Sequence, residues 1–597
     1  MIIRMVKHFF SHWVIRCFFA ALILAIFIYI VAPSITFHTI CYDSLGYYIY
    51  LPSFFIYHDS IHSAFVSDMI WKYDNTHTFY QALRLPNGNF VFGYTMGVAI
   101  LQLPFFFIAH FIALLFRLTS DGFSPIYQIA IAWSGIFYGL VGLRYLSFFL
   151  NVFFERKIVY LTLFLLILGT NFGYYFLVEN GMGHVYSFCL VASNLVWFSA
   201  FLKEKKTRYA VCLGLSLGLL LLIRPTNLLV CLPFFFLGLE FRYSALKERL
   251  YYFFQTPFLM LQMGVLVSIP FLLQMCYWKY STGHFLFNPY SFAGLGFDFL
   301  HPHILFGLFS LHRGAFFYSP VLLISLVGVV FYTRSLSISR IILGLFFLIN
   351  LWVVFSWRVI DYGASYGARA LIDSYPLLMF FFTSGISFLF YNNRLLRSLF
   401  FIACFLGCSL NLLQTWKFTN KLFYGYNTVS IFTSYFKISD SSPSANEERI
   451  LQESKATEIK KWNLSIPKNK FDVVVRPDFK FNLDSLSNFM DTSSSTFILE
   501  TEAVSRYKKL DIFFGKRPVS LVVSQSSQGK IYVWQEKDIY AQEGINDSMF
   551  TKTIMRYKVQ KRVKRDDKVS FFISYKSDGI IEFKSIEARL YEISPIE

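Results

Sequence analysis

Charge is scarce in this sequence. Asp, Glu, Lys and Arg make up 15% of its 597 residues, while 55% are hydrophobic and 20% aromatic. A soluble domain of that make-up would expose too much apolar surface, so the composition points away from an ordinary soluble protein. Cysteine offers little chemistry. Seven of the eight (Cys17, Cys189, Cys212, Cys231, Cys276, Cys404, Cys408) lie in or beside apolar runs, where the default is a small buried hydrophobe. Cys41 sits at a loop edge and the C-terminal domain has none, which leaves no basis for a disulfide framework or a zinc site. No repeat of 20–50 residues is present, which speaks against a solenoid. No small-residue cleavage site follows the apolar stretch ending about Val31, and Thr39-Ile40-Cys41 is a poor lipoprotein site. With Arg4, Lys7 and Arg16 ahead of it, that stretch reads as an uncleaved first span.

What is abundant is apolar runs of membrane-crossing length through the first two thirds. Basic clusters recur between them at 155–157, 203–208, 242–249, 334–340 and 392–397. Cytoplasmic loops collect Lys and Arg, which accounts for much of the +18 net charge without any need for nucleic acid. With the N-terminus inside, spans fall near 13–33, 126–150, 158–178, 185–202, 209–223, 226–241, 256–278, 316–333, 338–357, 374–391 and 395–415. That makes about eleven crossings and leaves the C-terminal region outside. Residues 94–117 break the parity, because a crossing there would put every later basic cluster outside. The positive-inside rule therefore favours an interfacial or re-entrant helix, and Gly93, Gly97 and Pro104 suit an interrupted one.

The fold class expected is a polytopic α-helical membrane domain (1–416), a linker with a short helix (417–470) and a small extracytoplasmic β-sandwich (471–597). Ser444 with Glu447 resembles a capping box for a charged helix to about Lys461. Strands are expected at Asp472–Arg476, Val519–Ser524, Lys530–Gln535, Val569–Lys576, Ile580–Lys584 and Ala588–Ile593. Asp578-Gly579 and Gln528-Gly529 are expected as hairpin turns.

On the outer side of this topology the ionisable residues gather. The first outer loop opens Tyr42-Asp43-Ser44-Leu45-Gly46-Tyr47-Tyr48, an aspartate at the end of the first span followed by an aromatic amphipathic helix. A carboxylate there is placed to take a proton from a hydroxyl or amine nucleophile at the lipid–water boundary. An acidic cap on an interfacial helix is the plainer alternative. Glu179 and His184 flank a glycine-rich turn that suits a structural role or an acceptor-side wall. Arg224 tips a helical hairpin, His312-Arg313 close the fourth outer loop, and Arg358, Asp361, Arg369 and Asp373 lie between two spans. Each arginine at a span end has a second reading, snorkelling to the interface. Asp373 stands four residues from Arg369, a spacing that would let it orient the guanidinium on an α-helix.

Taken in order, these features resemble the GT-C membrane glycosyltransferases, the class that includes protein O-mannosyltransferases and aminoarabinose transferases. The resemblance rests on Asp43 with its long first loop, Ile223-Arg224-Pro225-Thr226-Asn227, Arg313 to Pro320, and Asp361 to Pro376, and it covers roughly residues 10–415. It implies transfer of a sugar from a polyprenyl-phosphate donor to a lipid, glycan or protein acceptor at the outer face of a bacterial inner membrane. Asp43 matches the catalytic aspartate of that class. Arg369, Arg313, Arg224, His312 and Arg358 become candidates for the donor phosphate, because arginine stabilises phosphate charge well. Tyr47, Glu179, His184, Asp361, Tyr366 and Asp373 become candidates for lining the substrate. Ser44 follows Asp43 where many mannosyltransferases carry a second acid, so no obligatory metal and no cofactor are expected. Two other readings stand beside this one: an O-antigen ligase or polymerase using a lipid diphosphate, and a non-enzymatic transporter or flippase of lipid-linked sugars.

Overall fold

The structure is a computed structural model. It describes residues 39–419, apart from 74, 77–78, 240–241, 290–295, 312, 332–337, 360–361 and 363–364, together with eight strands between 456 and 593. The expected first span, His312, Asp361 and the expected strand Asp472–Arg476 lie outside the described residues. The chain divides into two compact units, residues 1–63 with 81–437 and residues 64–80 with 438–597.

The first unit is helical. Its elements are α1 (Tyr42–Tyr48), α2 (Tyr50–Phe55), a small ribbon of β1 (Ala82–Arg84) and β2 (Phe90–Phe92), then α3 (Gly97–Leu115), α4 (Pro125–Leu150), α5 (Arg156–Gly169), α6 (Phe172–Leu177), α7 (Gly183–Glu204) and α8 (Thr207–Ile223). After a 3-10 turn (Pro225–Val230) come α9 (Cys231–Phe236), α10 (Tyr243–Phe254), α11 (Pro257–Thr282), α12 (Ile304–Phe309) and α13 (Ala315–Tyr318). A second 3-10 turn (Pro320–Leu323) leads to α14 (Ile324–Phe331) and α15 (Ile338–Phe355). A third (Arg369–Ser374) opens α16 (Tyr375–Tyr391), and α17 (Arg394–Thr419) follows.

Among the described residues six helical segments are long and apolar enough to cross a membrane: α3, α4, α7, α11, residues 369–391 and α17. This is the architecture of a multi-pass helical membrane protein. Three of the expected spans are broken helices. Residues 158–178 divide at Thr170-Asn171, where the Asn171 N–H donates to Ser319 Oγ at 2.8 Å and the Phe172 N–H to Thr170 Oγ1 at 3.1 Å. Side chains thus satisfy backbone groups that a continuous helix would have paired. Residues 226–241 and 316–333 break at 3-10 turns that begin with Pro225 and Pro320, whose rings lack the N–H a continuing helix needs. Residues 94–117 correct the expectation in the opposite sense. They hold one unbroken 19-residue helix, with Pro104 inside it and exposed.

Glycines set the alignment of α4 and α7. A Cβ on Gly139 would meet Val185 at 3.3 Å and one on Gly142 would overlap Phe188 and Cys189, so the two helices run side by side in the same direction. The Tyr145–Trp197 ring contact at 5.3 Å continues the seam. Because Glu204 and Thr207 are separated by two residues, α8 returns antiparallel to α7, and its C-terminal end reaches the level of the α7 start. That end of the helix group carries the site.

The second unit includes a helix at Val66–Tyr73 and strands β3 (Ala456–Asn463), β4 (Lys480–Asn482), β5 (Thr496–Lys509), β6 (Val519–Ser527), β7 (Lys530–Asp538), β8 (Thr551–Lys558), β9 (Lys568–Tyr575) and β10 (Ile580–Ile593). They form two antiparallel four-stranded sheets, ordered β3-β10-β5-β8 and β4-β9-β6-β7. The Gln528-Gly529 connection is a hairpin, with Ser527 opposite Lys530. The Asp578-Gly579 hairpin is not formed, because β9 pairs with β4 and β6 whereas β10 pairs with β3 and β5. The two strands expected at 580–584 and 588–593 are one long strand, irregular between Phe583 and Ser585. Of the charged helix expected from Ser444 to about Lys461, residues 444–455 lie outside the described residues, and its last part is strand β3, paired with β10 along Ala456–Asn463.

Candidate functional site

Four separate breaks in helical geometry build the site. The first is Arg224. Pro225 follows it, and a residue before proline is pushed out of the helical region, so Arg224 is extended (φ −151°, ψ 116°) and α8 stops. Asn227 secures the turn. Its N–H donates to the Arg224 carbonyl at 2.9 Å and its side-chain amide to the Leu220 carbonyl at 3.2 Å. The arginine is thereby swung off the helix line towards His184 and Asp373.

His184, in the first turn of α7, is fully buried. Its Nδ1 lies 2.8 Å from Asp373 Oδ1, and its Nε2 lies 3.1 Å from Arg224 Nη2. A guanidinium only donates, so Nε2 is the acceptor. The ring proton therefore sits on Nδ1 and is given to Asp373. The other Asp373 oxygen faces Arg224 Nε at 3.7 Å. Burial works against the Arg224 charge, but Asp373 and the Tyr47 hydroxyl outweigh it and hold the guanidinium protonated more firmly than usual. His184 is thus a neutral spacer whose lone pair is in use.

The second break is at Gly367, whose φ of +62° favours glycine, and where a Cβ would press on Tyr318. It starts the 3-10 turn Arg369–Ser374, stitched by the Arg369 N–H to the Gly367 carbonyl at 2.9 Å. Three residues per turn, rather than 3.6, rotate residues four apart onto different sides. Arg369 and Asp373 accordingly point to different partners, and the expected orienting of Arg369 by Asp373 is replaced by Asp373 holding His184 and Arg224.

Arg369 goes to Asp43. Its Nη2 donates to Asp43 Oδ2 at 2.6 Å, across 326 residues of sequence. Asp43 Oδ1 accepts from the Tyr94 hydroxyl, also at 2.6 Å. The third break precedes this aspartate: Tyr42 has φ +47°, and its carbonyl is held by the Gln81 side chain at 2.9 Å. The fourth is Tyr362 (φ +51°), whose hydroxyl donates to the Val354 carbonyl and whose ring lies within the fields of Arg224, Arg369 and Asp373. Burial pushes its phenol up. Two non-glycine residues in the left-handed region beside one cluster is the kind of strain functional sites hold.

Glu179 completes the group. Its Oε1 accepts from the Tyr174 hydroxyl at 2.9 Å. Burial pushes its carboxyl above the usual range. Arg369, the Tyr174 hydroxyl and Arg313 oppose the rise, and Asp43 adds to it. Arg313 stacks its guanidinium over the Phe418 ring at 5.4 Å, and its Nε, like that of Arg369, is buried with no hydrogen-bond partner. Tyr47 bridges the cluster, its ring 4.8 Å from Tyr94 and its hydroxyl beside Arg224.

The structure thus brings together Asp43, Tyr47, Glu179, His184, Arg224, Arg313, Arg369 and Asp373. Tyr366 is turned away. It is fully buried, with its hydroxyl donating to the Asn411 carbonyl at 3.0 Å and accepting from Thr415 Oγ1 at 3.0 Å, so it braces the site from behind. Arg358 is exposed beside the Phe297–Trp357 bridge, with its N–H on the Gly296 carbonyl at 3.0 Å. Tyr94, Tyr362 and Gln81 belong to the site without having been marked in the sequence. Tyr94 stood just ahead of an apolar run and Tyr362 between two marked residues, and neither carries a spacing that signals chemistry.

No known family profile matches the chain, and no curated protein matches its sequence.

Proposed function

We propose that this protein is a GT-C-like glycosyltransferase that moves a sugar from a polyprenyl-phosphate donor to a lipid, glycan or protein acceptor. The observation that carries the reading is the meeting of Asp43 with Arg369 at 2.6 Å, beside Arg224, Arg313 and the half-buried Glu179. It supports the reading because a base and cations for a leaving phosphate would then lie side by side. Asp43 takes the proton of the acceptor hydroxyl or amine, the acceptor atom bonds to the anomeric carbon, and the bond from that carbon to the phosphate oxygen breaks. The phosphate leaves as an anion towards Arg369 and Arg313. Attack opposite the leaving group inverts the anomeric centre.

The proposed topology puts the cluster on the outer face of a bacterial inner membrane, with about eleven crossings and a cytoplasmic N-terminus. Neighbours of α3 support it. Its start lies against the end of α8, with Thr95 Oγ1 donating to the Leu222 carbonyl at 2.5 Å. Its far end lies against the start of α4, where His110 Nδ1 is 2.6 Å from the Tyr127 hydroxyl. The α4 start and the α8 end belong to the same side of the helix group, so α3 begins and finishes on that side and leaves the parity of the basic loops intact. The two C-terminal sheets are read as an outer β-sandwich.

The deciding experiment compares surface glycans and lipids by mass spectrometry in cells with the intact gene, without it, and carrying Asp43→Asn. A glycan or lipid mass increment lost in both altered strains supports the reading, and one retained with Asp43→Asn overturns the role of Asp43. In the purified protein, turnover with a lipid diphosphate but not a monophosphate would favour the ligase or polymerase reading. Donor binding without turnover would favour a transporter. A topology reporter placed after residue 118 that reads cytoplasmic would dismantle the site.

A further inference from the structure

We infer that Tyr94 is the positioning residue for Asp43, and that position 46 is glycine so that the Tyr94 ring has somewhere to sit. The inference rests on the reading of Asp43 as the base. Arg369 is a natural partner for a bound phosphate, because its charge and its unpartnered Nε both favour an incoming anion. As the phosphate engages Arg369, the Asp43 carboxylate needs a second hold to stay aimed. The Tyr94 hydroxyl, at 2.6 Å from Oδ1, supplies it from the opposite side.

The geometry around Tyr94 is specific to that task. The ring packs against Gly46, one turn along α1 from Asp43, and a Cβ at position 46 would come within 3.0 Å of three of its ring carbons. The Tyr94 carbonyl accepts from the Tyr50 hydroxyl at 2.6 Å, pinning the backbone. On its other side the ring meets Tyr47 edge-on at 4.8 Å, and Tyr47 in turn touches Arg224. Position 46 is inside a helix, where glycine is less favourable than alanine, so the helix itself gains nothing from it. The ring of Tyr94 explains it.

The test uses the full-length protein, purified into lipid nanodiscs without substrate. Carboxyl groups are labelled with a water-soluble carbodiimide and an amine across a pH series, and Asp43 is followed by peptide mass spectrometry. The reagent attacks the protonated acid, so the midpoint of labelling reports the ionisation of Asp43. A hydrogen bond to the charged form favours that form, so removing it raises the midpoint. Tyr94→Phe keeps the ring and loses the hydroxyl, and should move the midpoint up by about one pH unit. Gly46→Ala should move it the same way by ejecting the ring. The double variant should match the single ones rather than add to them. Tyr57→Phe, which removes a hydroxyl donating to the Asp121 carbonyl at 3.0 Å, should leave the midpoint alone. An unmoved midpoint in Tyr94→Phe overturns the inference, and so does additivity in the double variant. If Gly46→Ala fails to fold, Tyr94→Phe still decides. A chain that shows these shifts but transfers no sugar would sink the glycosyltransferase reading and leave the positioning role standing.

Discussion

Two clusters of opposite character share this site. In one, His184, Asp373 and Arg224 saturate each other: both ring nitrogens and both carboxylate oxygens have partners, and the histidine is fully buried. In the other, Asp43 and Arg369 keep side-chain exposures of 17% and 12%, and the arginine retains a buried N–H with no partner. In the first, His184 and Asp373 have no capacity left for a substrate, and only Arg224, whose side chain is 23% exposed, can reach one. In the second, the pair itself is open. The closed cluster is therefore a frame that fixes Arg224 and the 3-10 turn, and the open pair is where the proposed chemistry would take place.

Variants on each side should separate these roles. Asp43→Asn should lower transfer by at least about a hundredfold, the range of a lost general base, with thermal unfolding little changed. Asp373→Asn should do the reverse. Removing one partner of a buried ion pair leaves uncompensated charge, and a loss of about 3 kcal/mol in unfolding experiments is expected. A melting curve for Asp373→Asn that overlays wild type would break the distinction. Arg369→Lys keeps the charge and loses the fork, so turnover should fall about tenfold while the protein remains folded. Full turnover with lysine would mean that charge alone serves.

The smallest effect concerns Glu179. Burial raises its pKa in the folded chain, so its neutral form is favoured there, and the associated stability is lost as pH rises through the raised value. Ionised Glu179 also repels an incoming phosphate. Glu179→Gln should therefore bind a polyprenyl phosphate about threefold more tightly at the alkaline end and remove the decline in binding with pH. A calorimetric titration of the two proteins at several pH values checks this, and parallel pH curves would refute it.

The sequence made the two sides of the open pair visible because each announces itself locally. Asp43 follows an apolar run, and Arg369 stands two residues after a glycine in a loop rich in Gly and Tyr. Pro225 likewise marks where Arg224 must leave its helix. What stayed hidden depends on contacts across the chain. Tyr94 is one tyrosine among 38, and only the packing over Gly46 distinguishes it. The partner of Asp373 could not be read from an α-helical spacing because the segment is 3-10. The same lesson holds in the second unit. Asp578-Gly579 has good hairpin chemistry, yet the strands it joins belong to different sheets, because β10 finds its neighbours in β3 and β5.

The 326-residue separation between Asp43 and Arg369 also has a meaning for how the protein is made. Chains grow from the N-terminus, so Asp43, Glu179, His184 and Arg224 enter the bilayer well before residues 369–373 are synthesised. The cluster is assembled last, when the third 3-10 turn arrives and delivers Arg369 to one partner and Asp373 to two others. A ribosome stalled before that turn holds a nascent helical bundle with the charges of its site still unmatched.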